Sequence, residues 1–153
     1  MSDKIQFTQE GFDNLKLEHE DLIGPRRAKA VDRLAKARAM GDLSENSEYS
    51  AAKEEIAFVE GRIQEIEELI DKAEIITASP AKGITIGTVV IVEKNGKEET
   101  FSIVGEFEAN PLNNKLSSTS PIGKALIGKK EGDTVNVEVP AGILKYKILK
   151  IKK

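Results

Sequence analysis

Between Ala52 and Ala73 the apolar residues keep the spacing of a coiled-coil seam. Ala52, Ile56, Val59, Ile63, Ile66, Ile70 and Ala73 are separated by 4, 3, 4, 3, 4 and 3 residues. That repeat suits a helix buried along one narrow face. Glu54, Glu55, Glu60, Arg62, Glu65, Glu67 and Glu68 occupy positions between them, as solvated faces require. Followed backward, the same phase reaches Tyr49 and Glu45. The pattern predicts a helix from about 45 to 76, on the order of 48 Å long at 1.5 Å per residue.

Such a helix needs a partner, and the preceding residues supply one. Residues 8–23 read as helix, with Thr8 as N-cap and Glu10 and Asp13 near the positive end of the dipole. Phe12, Leu15, His19 and Leu22 form a second seam, in which His19 is expected to pack its ring. Gly24-Pro25 predicts a kink or short break, because proline removes a backbone donor and clashes with the preceding turn. The helix is expected to resume through Ala28, Val31, Leu34 and Ala35 to Met40, with Gly41 as a left-handed C-terminal residue. Two long helices joined by about four residues read as an antiparallel hairpin.

The period then changes. Thr77 to Gly83 has linker composition. Ile84 to Glu93 reads as strand, Asn95-Gly96 as a two-residue hairpin turn, and Thr100 to Val104 as the returning strand. Glu106 to Asn114 reads as loop and Lys115 to Ser118 as a short strand. Ser120-Pro121 opens a short helix to Leu126 or Ile127, with serine as cap and proline at the first helical position. Gly132-Asp133 is a turn, and Thr134–Val139 and Ile143–Ile151 close the chain as strands. The expected fold is α+β: a helical hairpin over residues 1–77, a linker at 78–83, and an antiparallel sheet with one short helix over 84–153.

Composition excludes several chemistries. There is no cysteine and one histidine, so disulfides, thiolate zinc sites and histidine-cluster metal sites are ruled out. No apolar run approaches the roughly 20 residues of a membrane span, and the start has no signal-peptide core. A soluble, cytoplasmic protein is expected. The net charge of −3 divides unevenly. Residues 1–77 carry 11 Lys/Arg against 18 Asp/Glu, and residues 78–153 carry 12 against 8. That asymmetry supports two regions with different surfaces.

The turn between the long helices carries two acids, Asp42 and Glu45. Their spacing is that of a capping box, with Asp42 as cap and Glu45 reaching back to it. The same two carboxylates offer hard oxygen ligands for Mg²⁺, provided that a partner or a phosphate completes the shell. Arg26, Lys29, Arg33 and Lys36 form a basic stripe leading to this turn, flanked by Arg27 and Arg38. The stripe either guides a phosphate backbone or pairs with the acidic face of the following helix. Tyr49 is the only aromatic near the turn, which argues against autonomous single-strand recognition.

The run Gly41-Asp42-Leu43-Ser44-Glu45-Asn46-Ser47-Glu48-Tyr49, followed by Ala51-Ala52-Lys53-Glu54, closely resembles the signature of bacterial transcript elongation and cleavage factors of the Gre family. Glu60-Gly61-Arg62-Ile63, Ile103-Val104-Gly105 and Ser120-Pro121-Ile122-Gly123-Lys124-Ala125-Leu126-Ile127-Gly128 resemble further family blocks. The resemblance implies an N-terminal antiparallel coiled-coil hairpin and a C-terminal FKBP-like, RNA polymerase-binding domain. It implies a monomer that is not itself an enzyme. Such a factor inserts its hairpin into the secondary channel of RNA polymerase and stimulates endonucleolytic cleavage of backtracked nascent RNA near its 3′ end. Asp42 and Glu45 match the acids that help hold a second Mg²⁺, shared with the polymerase and absent from the free protein. Gly41, Leu43, Ser44, Asn46 and Tyr49 match positions that shape the tip. Arg33 and Arg38 are the candidates for RNA contact, and Ser120 and Pro121 match the polymerase-docking segment.

Three other functions fit parts of the chain. An inhibitory or non-cleaving Gre-like regulator would share the shape, but the paired acids favour an activator. A peptidyl-prolyl isomerase would need an aromatic-walled pocket, and the C-terminal half offers only Phe101, Phe107 and Tyr146. A coiled-coil adaptor would leave the turn acids without a role.

Overall fold

The computed structural model describes residues 4–41 and 46–153. The chain forms two compact units. One comprises residues 13–72; the other joins the N-terminal residues through Phe12 to residues 73–153.

The first helix, α1 (Gln9–Asp21), begins where Thr8 Oγ1 accepts the Gly11 N–H at 3.0 Å. The expected break at Gly24-Pro25 is a wide π-turn over Leu22–Arg26, within which Gly24 leaves helical geometry at φ −102°, ψ −106°. Helix α2 (Arg27–Ala39) follows. Its buried face differs from the sequence expectation. Ala30 and Ala37 are buried, whereas Val31 is 53% exposed and Ala28 and Ala35 face solvent. The π-turn is the reason. Leu15 to Leu22 is seven residues, Leu22 to Ala30 is eight, and Ala30 to Ala37 is seven. The wide turn absorbs one extra residue and rotates everything after it.

Helix α3 (Ser47–Lys72) lies against α2 and buries Ala52, Val59, Ile63, Ile66 and Leu69. Leu69 replaces Ile70 at the base of the seam, the drift expected when a 3.6-residue helix meets a 3.5-residue repeat. Arg62 binds both carboxylate oxygens of Glu18, at 2.7 and 2.8 Å, and also reaches Glu65 at 2.8 Å. Arg27 grips Glu60 the same way at 2.9 and 2.7 Å. His19 Nε2 lies 3.4 Å from Glu67, a contact not aligned for a hydrogen bond.

The seam predicts helix to about 76, but α3 ends at Lys72. Ala73–Ile75 instead forms a strand paired in parallel with Ile5–Phe7. These are β2 and β1, and neither is apparent in the local pattern. Phe7 is almost fully buried. Glu108 secures the same region, accepting the Thr8 N–H at 2.8 Å, the Gly105 N–H at 3.1 Å and the Thr8 hydroxyl.

The second unit is built on β3 (Val89–Lys94), β4 (Lys97–Val104), β5 (Lys115–Ser117), β6 (Thr134–Val139) and β7 (Gly142–Lys152). Their order is β5-β4-β3-β7-β6. Asn95 and Gly96 make the predicted tight turn, both at positive φ, 53° and 79°. The sheet is mixed: β5 joins β4 in parallel across a ten-residue connection, and the other pairs are antiparallel. The strand expected from Ile84 starts only at Val89, because Gly87 turns the chain at φ 95°. Ile84 and Ile86 still reach the core, packing with Val90, Val92, Ile103, Tyr146 and Ile148. The short helix α4 (Pro121–Leu126) contributes Leu126 to that core.

Candidate functional site at the hairpin turn

Helix α2 ends through Met40, and Gly41 takes φ 103°, the positive value its sequence position predicts. The described chain resumes at Asn46, and this residue organises the start of α3. Its Oδ1 accepts the Tyr49 N–H at 3.0 Å, an N-cap bond to the third helical residue. Its Nδ2 donates to the carbonyl oxygen of Ala37 at 2.9 Å. One amide thus satisfies a free donor of α3 and adds a second donor to the Ala37 carbonyl, which already accepts the Met40 N–H at 3.2 Å. The capping box expected from spacing is not what begins this helix, since α3 starts at Ser47 with Asn46 as its cap. Asp42, Leu43, Ser44 and Glu45 lie outside the described residues.

The flanks of the turn are cationic and engaged in different ways. Arg33 binds Glu48 through two nitrogens, at 2.6 and 3.3 Å. This contact holds the Glu48 carboxyl below its ordinary value. Arg38 makes no ion pair among the described residues; its guanidinium sits 6.0 Å from the centre of the Tyr49 ring. Lys53 approaches the same ring at 5.4 Å. Two cations therefore share one aromatic ring beside the turn. Sequence reasoning did not single out Lys53, although its position four residues after Tyr49 on a helix was the available signal.

The basic stripe resolves mostly into interhelical pairing. Arg26 contacts Glu55 at 3.7 Å, and Arg27 and Arg33 hold Glu60 and Glu48. Lys36 pairs within its own helix with Asp32 at 2.9 Å. Among the described residues Lys29 and Arg38 make no ion pair, and Arg38 is the one of the two that lies beside the turn, over Tyr49.

The second predicted segment lies in the other unit. Ser120 Oγ accepts the Gly123 N–H at 3.0 Å and donates to the Ser117 carbonyl at 2.7 Å. Serine thus caps α4 as predicted, with Pro121 exposed at its first position. Gly123 has no room for a side chain, because a Cβ there would lie 2.0 Å from the Ser117 oxygen. The Ser120–Gly123 turn consequently packs directly against the Ser117 carbonyl.

Among the described residues, no group of three or more His, Cys, Asp or Glu is placed to hold a metal ion. Nor, among them, is any helix long and apolar enough to cross a membrane.

Residues 5–75 match the N-terminal family model of transcription elongation factors, and residues 79–153 match the C-terminal GreA/GreB model. The chain belongs to the GreA/GreB family of transcription elongation factors. It is 50% identical to transcription elongation factor GreA of Thermoanaerobacter pseudethanolicus, over 100% of both chains. Against the GreA of Lactococcus lactis subsp. lactis it is 48% identical over 99% of each. Among solved structures, the transcription factor Gfh1 is 30% identical over 99% of each chain, with a TM-score of 0.48.

Proposed function

We propose that this chain binds RNA polymerase, places its helical hairpin in the secondary channel and stimulates endonucleolytic cleavage of backtracked nascent RNA. Arrested complexes would then resume elongation from the new 3′ end. The observation that carries the reading is the Asn46 cap. Asn46 supplies the cap of α3, so the start of that helix does not by itself call for two acids in the turn, and the reading gives Asp42 and Glu45 a chemical role.

Their carboxylate oxygens suit Mg²⁺, which commonly takes only one or two protein carboxylates and completes its shell elsewhere. Asp42 and Glu45 would hold an ion shared with the polymerase, whose own groups supply the remaining ligands. Such an ion, when bound, favours an attacking water and neutralises charge on the scissile phosphate. The chain's own residues then supply position. Gly41 and Asn46 fix where the turn leaves α2 and enters α3, with Leu43 and Ser44 between them as tip-shaping residues. Tyr49 holds Arg38 and Lys53 beside the turn, and Arg38 is the side chain assigned to an RNA phosphate. Arg33 reaches RNA only by giving up Glu48. Ser120 and Pro121 dock the polymerase: the serine hydroxyl is already committed twice, so Pro121 and the capped turn form the contact.

The test is transcript cleavage in a halted elongation complex with Asp42→Asn and Glu45→Gln. Each is expected to lower the cleavage rate by about 10²-fold or more, the scale of removing one stabiliser of transition-state charge. Polymerase binding should persist. Equal loss of binding and cleavage would remove the metal-holding assignment.

A further inference from the structure

The final strand carries Lys145-Tyr146-Lys147-Ile148-Leu149-Lys150-Ile151-Lys152. Strict alternation would divide these lysines, placing Lys150 and Lys152 on the face of Tyr146 and Ile148. The structure does otherwise. Val92 pairs with Ile148 and Ile91 with Lys150, so Leu149 is an extra residue in a β-bulge. After the bulge the phase is reversed. Tyr146, Ile148 and Ile151 all turn into the core, and all four lysines are exposed on the opposite face.

The ordinary reasons for a lysine row do not apply. Lysines commonly protect sheet edges from pairing with other chains, but β7 lies between β3 and β6. None of the four makes an ion pair among the described residues. Like charges aligned on one strand repel, so the row costs stability unless an anion meets it. Glu93 lies opposite Lys147, and Glu138 is near the β6–β7 turn. Lys150 and Lys152 face Ile91 and Val89 on β3, and on the other side of β7 Glu131 lies beside them, with its Oε1 accepting the Ile151 N–H at 3.0 Å and no ion pair to either lysine among the described residues.

We propose that the outer face of β7 is a docking strip for the phosphate backbone of double-stranded DNA. Outward residues two apart on a strand are about 6.6 Å apart, so the row presents a line of cations about 20 Å long. Thr134 and Asn136, paired with Lys147 and Lys145, add neutral polar groups for phosphate oxygens. No aromatic platform accompanies the lysines, because Phe101 and Tyr146 pack edge to face on the core side, 6.1 Å apart. Single-strand binding relies on such platforms, and a duplex, with its bases turned inward, does not need them. The whole chain has a net charge of −3, so attraction to DNA has to be local. This strip does not depend on the polymerase reading.

Fluorescence anisotropy of the full-length chain with a labelled DNA duplex, over a KCl series, tests the strip. Binding should weaken with salt at a log–log slope of about −3 to −4, as for three or four phosphate contacts. Lys147→Gln with Lys150→Gln should flatten the slope by about two and weaken low-salt binding about tenfold. Lys97→Gln with Lys124→Gln, the same charge change at exposed positions away from β7, should leave both unchanged. Circular dichroism checks that each variant is folded. No duplex binding at low salt, or equal loss with the control pair, would overturn the proposal. So would tighter binding to a single strand of the same length, or displacement of the duplex by polyglutamate at equal charge, which would point to an acidic protein surface.

Discussion

Asn46 Nδ2 donates to the Ala37 carbonyl at 2.9 Å, tying the first residues of α3 to the last turn of α2 across the hairpin turn. The oxygen of the same amide caps α3 through the Tyr49 N–H. Asn46→Ala removes both bonds and should cost about 1–2 kcal/mol. Asn46→Asp keeps the cap acceptor but not the donor, and should lie between wild type and alanine. Urea unfolding checks the order.

Because Asn46 holds the cap, neutralising the turn acids should barely change stability. Asp42→Asn and Glu45→Gln are expected within about 0.5 kcal/mol of wild type by denaturant unfolding. A loss of about 1 kcal/mol or more, the usual worth of a cap, would return these acids to a structural role.

The phase change at the π-turn makes a sharp contrast between neighbours. Ala30 is 3% exposed and Val31 is 53% exposed. Ala30→Asp buries an unpaired carboxylate and should destabilise the hairpin by several kcal/mol, on the order of 3 or more. Val31→Asp should change stability by about 0.5 kcal/mol or less. Thermal unfolding of the two single variants distinguishes the observed face from the one that the apolar pattern of the sequence predicts.

Gly123→Ala forces a Cβ to within 2.0 Å of the Ser117 carbonyl oxygen, a backbone atom that cannot rotate away. The α4 turn must shift, at a cost of about 2 kcal/mol or more. Reduced melting temperature together with weaker polymerase binding is the expected outcome.

Acid should weaken the hairpin through Glu18. The Arg62 guanidinium, hydrogen-bonded to it, holds its carboxyl below the ordinary 4.5 despite the opposing effect of partial burial. A folded-state pKa below the unfolded value contributes stability above the unfolded value and loses it as pH falls through the folded one. The contribution is screened because the Glu18 side chain is 42% exposed. Melting temperature should hold down to about pH 4.5 and fall in more acid solution, with a shallower fall in Glu18→Gln.

The elements legible in the sequence are those whose cause is contiguous. The heptads of α3, the Asn95-Gly96 turn, the Thr8 and Ser120 caps and the break at Gly24-Pro25 each depend on neighbours within a turn or two of chain. The turn motif was legible too, through resemblance. The capping residue was misplaced because Asp42 and Asn46 are both good caps, and only the actual start of α3 chooses between them. The stripe of arginines was visible, but its partners were not, because ion pairing depends on which faces of two helices meet.

The sequence by itself determined that this chain makes a paired helical hairpin, then a sheet with one short capped helix. Hydrophobic period, proline and glycine act locally and need no knowledge of the fold. Tertiary structure alone decided that residues 73–75 leave the helix to pair with residues 5–7. It also decided that the π-turn shifts the α2 seam by one residue, and that the Leu149 bulge gathers four lysines on one face. Each of these choices trades local regularity for burial against residues distant in the chain, and that energy is not written in any single stretch of sequence.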